Sequence, residues 1–422
     1  MTKIALVVQR YGVGIDGGAE QHAAGIVNIL SKTHDVTVLT SCATDYTTWQ
    51  SDLEVGESNI NGIKTIRFFS QPRDQQQQQL AYRYLKYSPS VWMRRKCMRH
   101  FGQTPWRSAG HEQAELSMQW LQAQGPYMPG LYQYIEEHQQ QYEVFIFFTS
   151  LYYPTAVCLP LVSNKSILVP LLHQEAVSHF PVYANCFKYA RCVFFNTRSE
   201  MRYAKKLYHL NSQRCSIVGV GMDPVNTLEE HEKSTAQNPY ILYIGRICAA
   251  KGCQQLLAYF VKYHQTTTSP LRLIMVGNNT MDKVNHPKIE YAGFVSDAEK
   301  ERLLQNAKAL VIPSSLESLS LVTLEAMLYR LPVIAQKKCE VIRDHLDASG
   351  SGLLFSNATS FARALNTLLK QGVNDAFLDA GQCYVRENYN WDVVEQKFNA
   401  AIEHIASESS SPTTEQLAQA AL

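Results

Sequence analysis

The stretch that constrains the fold most is residues 309–329, which read ALVIPSSLESLSLVTLEAMLY. An apolar run at 310–312 predicts a buried strand, and Pro313 ends it. A serine-rich turn follows, and the apolar residues after it have the spacing of a largely buried helix. Ser318 and Ser320 are both candidate N-caps for that helix.

The start of this helix is suited to binding an anion. The N–H groups of Ser320, Leu321 and Val322 have no partner within the helix, and a helix N-terminus attracts phosphate. Glu317 lies in the loop before the helix, and Glu325 lies about five residues into it, roughly 7 Å along the axis. Carboxylates bind hydroxyl groups, so the stretch predicts a site for a sugar joined to a ribose through phosphates.

The same stretch resembles the Glu-x7-Glu motif of the retaining family-4 glycosyltransferases, which have the GT-B fold. The resemblance implies an α/β protein with two Rossmann-like, doubly wound, parallel-sheet domains that face a central cleft, and a C-terminal helix that crosses back to the first domain. It implies that Glu325 holds the donor ribose and that Glu317 lies near the transferred sugar. Spacing alone would also fit a solvated loop glutamate followed by an ordinary helix glutamate.

Composition supports an ordinary globular chain. The chain has 422 residues, 45% hydrophobic and 18% charged, which suggests two or three domains. Ten scattered cysteines without zinc-site spacing predict reduced thiols in a cytosolic protein. No signal peptide is visible, and the uncharged window 144–162 is interrupted by prolines, which favours a buried strand and a helix over a membrane span.

The N-terminal region predicts a βαβ unit. A strand at 3–8 is followed by the glycine-rich turn 12–20, a helix and a second strand. The turn lacks the Gly-x-Gly-x-x-Gly spacing of a dinucleotide site. It resembles the Gly-Gly-Ala-Glu loop of the family, which implies that Gly17 and Gly18 face the donor diphosphate. A glycine turn that serves packing only is the alternative.

A histidine follows a later apolar run, at 166–172. Ligands bind at the carboxyl ends of strands in open α/β sheets, which makes His173 a candidate site residue. Together with Glu175 it resembles the His-Asp/Glu pattern of the family, which implies a position near the reacting sugar. A lone histidine without that context is more often structural.

The second half opens with a strand at 240–244 and a basic turn. Arg246 and Lys251 lie between this strand and the next predicted helix, where both can reach one diphosphate. The turn resembles the Gly-Arg…Lys-Gly element of the family. Residues 289–296 resemble its base-recognising segment, with Phe294 near the nucleobase. Residues 336–340, QKKCE, depart from the pattern, since two glycines usually precede that glutamate.

An insertion at 71–125 combines basic and aromatic residues. Residues 75–79 are a glutamine tract, predicted to be a mobile surface loop. Seven cations follow with no acid between Asp74 and Glu112, and they are Arg83, Lys86, Arg94, Arg95, Lys96, Arg99 and Arg107. Basic and aromatic residues together predict peripheral contact of 83–107 with an anionic membrane. A nucleic-acid face and a solvated helical insertion have the same pattern, and we expect no nucleic-acid partner.

The predicted domains are residues 1–222 on the acceptor side, 223–385 on the donor side, a crossover helix at 386–406 and a disordered tail at 407–422. The resemblance implies a retaining hexosyltransferase that uses a UDP- or GDP-sugar as donor and a glycan or lipid-linked glycan as acceptor in surface polysaccharide biosynthesis. No Asp-x-Asp is present, so we expect catalysis without a metal or another cofactor, in the cytoplasm or on the inner face of its membrane. The alternatives are a non-catalytic nucleotide-sugar or glycan-binding subunit and another GT-B enzyme, a phosphorylase or an epimerase.

Overall fold

The computed structural model describes residues 1–15, 17–101, 111–223, 225 and 239–409. The chain divides into two compact units. The first comprises residues 1–220 together with the C-terminal segment from Trp391, and the second comprises residues 221–390. The sequence analysis placed the corresponding boundaries after residues 222 and 385.

The first unit is built on an eight-stranded sheet in the order β3-β4-β2-β1-β5-β6-β7-β8. Its strands are β1 (Lys3–Val7), β2 (Asp35–Ser41), β3 (Gly56–Ile60), β4 (Ile63–Phe68), β5 (Val144–Phe148), β6 (Ser166–Val169), β7 (Cys192–Phe195) and β8 (Cys215–Ile217). The sheet is parallel, as predicted, except at one edge, where β3 pairs antiparallel with β4. Asn61 and Gly62 both have positive φ and form the two-residue turn of this hairpin, which favours the Asn-Gly pair.

Helices cover both faces of this sheet. They are α1 (Gly18–Leu30), α2 (Gln75–Tyr87), α3 (Pro89–Phe101), α4 (His111–Gln124), α5 (Pro129–His138), α6 (Tyr153–Cys158), α7 (Pro181–Tyr189), α8 (Arg198–Tyr208) and, from the end of the chain, α15 (Trp391–Ser409). Side chains of a strand alternate between the faces. Ile4 and Leu6 of β1 therefore join a core with α1 and α15, and Ala5 and Val7 join a second core on the opposite face.

The insertion belongs to that second core. Ala81 and Leu85 of α2, Val91 of α3 and Leu121 of α4 are all buried in it. The prediction of a mobile loop at 75–79 is wrong, because these glutamines begin α2. Glutamine is a good helix former, and the side chain of Asp74 caps the helix by accepting a hydrogen bond from the backbone N–H of Gln77. The part of the insertion at 102–110, including Arg107, lies outside the described residues.

The second unit has a six-stranded parallel sheet in the order β11-β10-β9-β12-β13-β14. Its strands are β9 (Tyr240–Ile244), β10 (Arg272–Val276), β11 (Ile289–Gly293), β12 (Ala309–Ile312), β13 (Val333–Gln336) and β14 (Leu353–Phe355). Its helices are α9 (Cys253–Gln265), α10 (Asp297–Asn306), α11 (Leu321–Leu328), α12 (Glu340–Ser349), α13 (Ala358–Asn366) and α14 (Asp375–Asn388). The strand, turn and helix predicted for residues 309–329 are β12, the loop after it and α11.

The C-terminal helix completes the first unit. Val394, Phe398, Ile402 and Ile405 of α15 recur at helical spacing and are buried against the core that contains β1 and α1. The helix runs from Trp391 to Ser409, whereas 386–406 was predicted. Residues 407–409 of the predicted tail are thus helical, and 410–422 lie outside the described residues.

Two further expectations concern the membrane and the cysteines. Residues 144–162 contain β5 and α6, and none of the helices within the described ranges is long and apolar enough to cross a membrane. All ten cysteines are free thiols.

Candidate functional site

In the second unit, a backbone contact at the carboxyl edge of the sheet fixes the position of the basic turn that contains Arg246 and Lys251. Gly252 ends the turn with φ of 74°, a left-handed conformation that glycine adopts without strain. A Cβ at this position would collide with the carbonyl oxygen of Pro313, the residue that follows β12. The turn after β9 therefore lies directly against the loop after β12.

This contact brings two predicted site residues together. Lys251 Nζ donates a hydrogen bond to Glu317 Oε1 at 2.7 Å, although the residues are 66 positions apart. The Lys251 side chain is 30% exposed and that of Glu317 is 16% exposed, so the ion pair is only partly screened by water. Arg246 lies at the start of the same turn, and its carbonyl accepts a hydrogen bond of 2.7 Å from the Tyr243 hydroxyl.

The loop before α11 is held in a strained conformation. Ser320 occupies the N-cap position with φ of 65°, which is unfavourable for a residue with a side chain. Its side chain does not cap the helix but forms a hydrogen bond of 2.8 Å with the Thr323 hydroxyl. Capping by the Ser320 side chain is therefore not what the structure shows. Leu321 and Val322 are the first residues of the helix, where N–H groups have no partner within the helix.

A buried histidine, which the sequence analysis did not identify, fixes this loop. His345 Nε2 lies 3.0 Å from the carbonyl oxygen of Leu319, and Nδ1 lies 2.9 Å from the Tyr384 hydroxyl. Burial lowers the pKa of His345 to about 4, so the ring is neutral at pH 7. A carbonyl oxygen only accepts, hence Nε2 carries the proton and Nδ1 accepts from Tyr384. No signal in the sequence connects residue 345 with the loop.

The second predicted glutamate also meets a lysine. Lys300 Nζ, on α10, donates to Glu325 Oε1 of α11 at 3.1 Å. Lys300 was not predicted as a site residue, because only the folded chain brings α10 beside α11. Phe294 follows β11 at the same edge of the sheet, and its side chain is 78% exposed and free to stack on a flat ligand.

In the first unit, the glycine turn is shaped by a buried ion pair. Glu20 accepts hydrogen bonds from Arg10 Nε at 2.9 Å and from Gln9 Nε2 at 3.2 Å. A Cβ on Gly17 would collide with the Glu20 carboxylate, so packing alone accounts for this glycine. Gly18 has open space where a Cβ would point. The predicted contact of both glycines with a donor diphosphate remains a prediction.

The histidine loop of the first unit depends on a second buried carboxylate. Glu200 Oε1 accepts from the backbone N–H of Leu172 at 2.7 Å, and Oε2 accepts from that of Asn196 at 2.8 Å. Glu200 thus ties the loop after β6 to the loop after β7. Burial raises its pKa to about 8, although the backbone hydrogen bonds oppose this shift. His173, whose Nδ1 lies 3.0 Å from the Leu171 carbonyl oxygen, follows directly.

Glu175 lies two residues beyond His173. Its carboxylate is half-buried and makes no hydrogen bond or ion pair within the part of the chain that the structure describes. Burial raises its pKa to about 7. A carboxyl with a pKa near 7 exchanges protons readily at neutral pH, which suits acid–base chemistry. The sequence analysis noted Glu175 as the partner of His173 but did not include it among the catalytic residues.

The predicted site residues are divided between the two units. Gly17, Gly18 and His173 lie in the first, and Arg246, Lys251, Phe294, Glu317, Ser320, Leu321, Val322 and Glu325 lie in the second. In both units they follow the carboxyl ends of parallel strands, where open α/β sheets bind ligands. Among the described residues, no group of three or more His, Cys, Asp or Glu side chains could hold a metal ion.

Comparison with known proteins gives a consistent result. Residues 238–371 match the family model of the group 1 glycosyl transferases. An uncharacterized glycosyltransferase of Methanocaldococcus jannaschii is 26% identical over 166 residues, which are 36% of this chain and 41% of that protein. The chain therefore spans less than half the length of this curated relative.

Two solved structures resemble the whole chain. Sucrose-phosphate synthase from Thermosynechococcus elongatus has a TM-score of 0.66 and 15% identity, covering 97% of this chain and 100% of the other. Anabaena HepE in complex with UDP-glucose has a TM-score of 0.64 and 14% identity, covering 96% and 100%. The fold is GT-B, as predicted.

We predict that Glu175→Gln stabilises the protein increasingly as pH rises. The pKa of Glu175 is raised from 4.5 to about 7, so folding favours its neutral form. Its contribution to stability is fully present below about pH 4.5 and is lost as pH rises through about 7. Glutamine mimics the neutral form, so the Tm of the variant should exceed that of the wild type at pH 8 and approach it at pH 5.

Thermal unfolding of both proteins between pH 5 and 8 measures this difference. Glu137→Gln removes an exposed carboxyl from α5 and is the matched control, with an expected Tm difference that does not vary with pH. If the Tm difference between Glu175→Gln and the wild type also did not vary with pH, the Glu175 carboxyl would be as well solvated as an exposed one.

Proposed function

We propose that the protein is a retaining hexosyltransferase. It transfers a sugar from a nucleotide-diphosphate sugar to a glycan or lipid-linked glycan acceptor during surface polysaccharide biosynthesis. The observation that carries this proposal is the convergence of Lys251, Glu317 and the start of α11 at one edge of a group 1 glycosyl transferases domain. UDP and GDP sugars are the candidate donors, and the proposal includes no further cofactor.

Cations and amides of the second unit fit the charge of a diphosphate. Arg246 and Lys251 follow the same strand, and the N–H groups of Leu321 and Val322 begin a helix close to Glu317. Each is a donor of the kind that binds phosphate oxygens. Lys251 pairs with Glu317 in this structure, and a diphosphate would take over part of that contact. Glu317 would then turn its second oxygen towards the hydroxyls of the transferred sugar.

The remaining residues have roles at the two ends of the donor. Glu325, held by Lys300, accepts hydrogen bonds from the ribose hydroxyls, and the exposed Phe294 ring stacks near the base. His173 and the glycine turn at 17–18 act from the first unit. Separate measurements of donor affinity and turnover test the division of roles: Glu325→Gln should weaken donor binding, and Glu317→Gln should mainly lower turnover.

We propose a displacement on one face of the sugar ring. The leaving diphosphate accepts the proton of the acceptor hydroxyl as that oxygen bonds to the anomeric carbon, so the configuration of the donor sugar is retained. His173 and Glu317 position the sugar and stabilise charge in the transition state. NMR of the initial product tests this step, since an inverted anomeric centre would contradict it.

A non-catalytic nucleotide-sugar or glycan-binding subunit is the alternative from another class, and a phosphorylase or epimerase is the alternative enzyme. The loop at 336–340, which lacks the glycines of the family pattern, is the feature that favours loss of activity. Gln336 ends β13 and is buried, and Glu340 begins α12. Formation of a glycosylated product from any nucleotide sugar would exclude the non-catalytic subunit.

We predict that Arg246→Ala and Lys251→Ala each weaken nucleotide-sugar binding by about 1.5–3 kcal/mol, the range for hydrogen bonds to charged groups. Neither side chain is buried, so folding should be nearly unaffected. Thermal-shift screening with UDP, GDP, ADP and dTDP sugars identifies the donor, and calorimetry then measures the affinities. Lys308→Ala removes an exposed lysine of the same unit and serves as the control. If the wild type and the three variants bound the nucleotide sugar equally well, the assignment of Arg246 and Lys251 to the diphosphate would be wrong.

We predict that turnover persists in excess EDTA. Arg246, Lys251 and the backbone amides supply positive charge to the leaving diphosphate, which is the task of a metal ion in other transferases. Initial rates with and without EDTA, and after addition of Mg²⁺, measure the effect. A complete loss of turnover that Mg²⁺ restores would contradict the proposed reaction.

We also propose that the enzyme docks on the inner face of the cytoplasmic membrane. The docking face consists of exposed residues of α2 and α3, namely Leu80, Arg83, Tyr84, Tyr87, Trp92, Met93, Lys96 and Arg99. Lys96 Nζ lies 4.9 Å from the centre of the Trp92 ring. Exposed aromatics beside cations are the residues that bind an anionic leaflet. Arg94 is buried and does not belong to this face, contrary to the prediction from sequence.

We predict that the docking is sensitive to salt. Each cation near an anionic leaflet contributes about 1 kcal/mol, and this attraction is screened by ions. Co-sedimentation with phosphatidylglycerol-containing vesicles should be strong at low salt and weak at high salt, and Lys96→Gln with Arg99→Gln should reduce it. Exchanging two exposed cations of the other unit, Lys283→Gln with Lys308→Gln, is the control. Failure of the wild type to sediment at low salt would exclude the docking face.

A further inference from the structure

A buried arginine on the side of α3 that faces the core has no counter-charge among the described residues. Arg94 of α3 is 5% exposed, and its Nε and Nη2 atoms are buried without a hydrogen-bond partner in the described part of the chain. No ion pair joins it to a described carboxylate. Buried arginines are normally paired, because a desolvated charge is costly. Nε and Nη2 form the edge of the guanidinium that binds two oxygens of one anion.

Other basic groups surround this position. His179 is buried, its Nδ1 has no partner among the described residues, and its pKa is lowered to about 4 by burial and then by the charges of Arg94 and Arg95. Arg95 makes no hydrogen bond or ion pair to a described residue either. Two arginines and a histidine therefore converge where α3 packs against the short helical turn Val177–His179. The two guanidinium groups carry the N–H donors and the positive charge that an anion requires.

Hydrogen bonds connect this cluster with the loop that carries His173. The Ser178 hydroxyl donates to the carbonyl oxygen of Glu175 at 2.7 Å, so the Tyr203 hydroxyl, 2.6 Å from Ser178, donates to that serine. Tyr203 in turn lies 3.5 Å from His179 Nε2. These hydrogen bonds thus link the basic cluster to the loop that carries His173, and both lie within the first unit.

We propose that Arg94 and Arg95, next to His179, form a binding site for a phosphate group of the acceptor. This inference rests on the proposed function and specifies its acceptor as a phosphorylated or phosphate-linked glycan. The guanidinium edge is closed off from solvent in this conformation, so a phosphate reaches it through a rotation of the Arg94 side chain or a small outward shift of α3. The bound phosphate then supplies the counter-charge that Arg94 lacks, and its binding orders the side of α3 that faces the core.

Binding of phosphate compounds to the full chain tests the proposal. The predicted diphosphate site would also bind them, so every protein carries Arg246→Ala and Lys251→Ala. Calorimetry with inorganic phosphate, and separately with glucose 6-phosphate, measures the binding of a soluble phosphate compound. Binding to phosphatidylcholine vesicles with and without a polyprenyl phosphate measures the recognition of a lipid-linked phosphate. Because no step requires turnover, the result is independent of whether the protein transfers sugar.

We expect Arg94→Gln to weaken phosphate binding by roughly tenfold or more, as for a lost charge-assisted hydrogen bond. Arg95→Gln should weaken it less, and Lys206→Gln, an exposed control on α8, should leave it unchanged. Without phosphate, Arg94→Gln should melt at the same temperature as its parent or higher, because it removes an uncompensated charge. The proposal is overturned if the parent binds no phosphate compound, if Arg94→Gln binds as tightly as the parent, or if Arg94→Gln melts well below the parent.

Discussion

The contact between Gly252 and the carbonyl of Pro313 determines how charge is arranged in the second unit. The contact is possible only without a side chain, and it places the turn after β9 against the loop after β12. Lys251 and Glu317 meet as a result, and Glu317 stands beside the strained start of α11. His345 also holds this loop, through a hydrogen bond to the Leu319 carbonyl. A flexible loop would leave these charges apart, since exposed ion pairs do not by themselves order a chain.

In the first unit, two buried glutamates hold the loops at the carboxyl edge of the sheet in position. Glu20 shapes the glycine turn through Arg10, and Glu200 joins the loops that follow β6 and β7. Both carboxylates act through hydrogen bonds to groups that the sheet already holds in place. The consequence is a set of loops at one edge that are rigid enough to position His173 and Glu175, although loops in general are the most mobile parts of a protein.

Much of this arrangement was predictable from local sequence. Buried parallel strands are short apolar runs, so the residues of β9 and β12 alone were enough to locate both strands. The pairing of Lys300 with Glu325 could not be predicted, because it depends on where α10 packs relative to α11. The glutamine tract at 75–79 was wrongly assigned to a loop, since its composition is polar and the cap at Asp74 was overlooked. The burial of Arg94 depends on which side of α3 faces the core, and a run of mixed basic and aromatic residues has too weak a period to show that.

The return of α15 to the first unit has a consequence for synthesis of the chain. The sheet face that includes Ile4, Leu6 and Val144 is covered in part by Phe398, Ile402 and Ile405. That face stays incomplete on the ribosome until α15 has been made, whereas the second unit is continuous in sequence and can close first. A nascent chain that stops before residue 391 exposes an apolar surface to chaperones, and binding of a hydrophobic dye to such truncated chains would detect it. The synthesis of α15 thus decides when the strands of the first unit, made much earlier, become fully native.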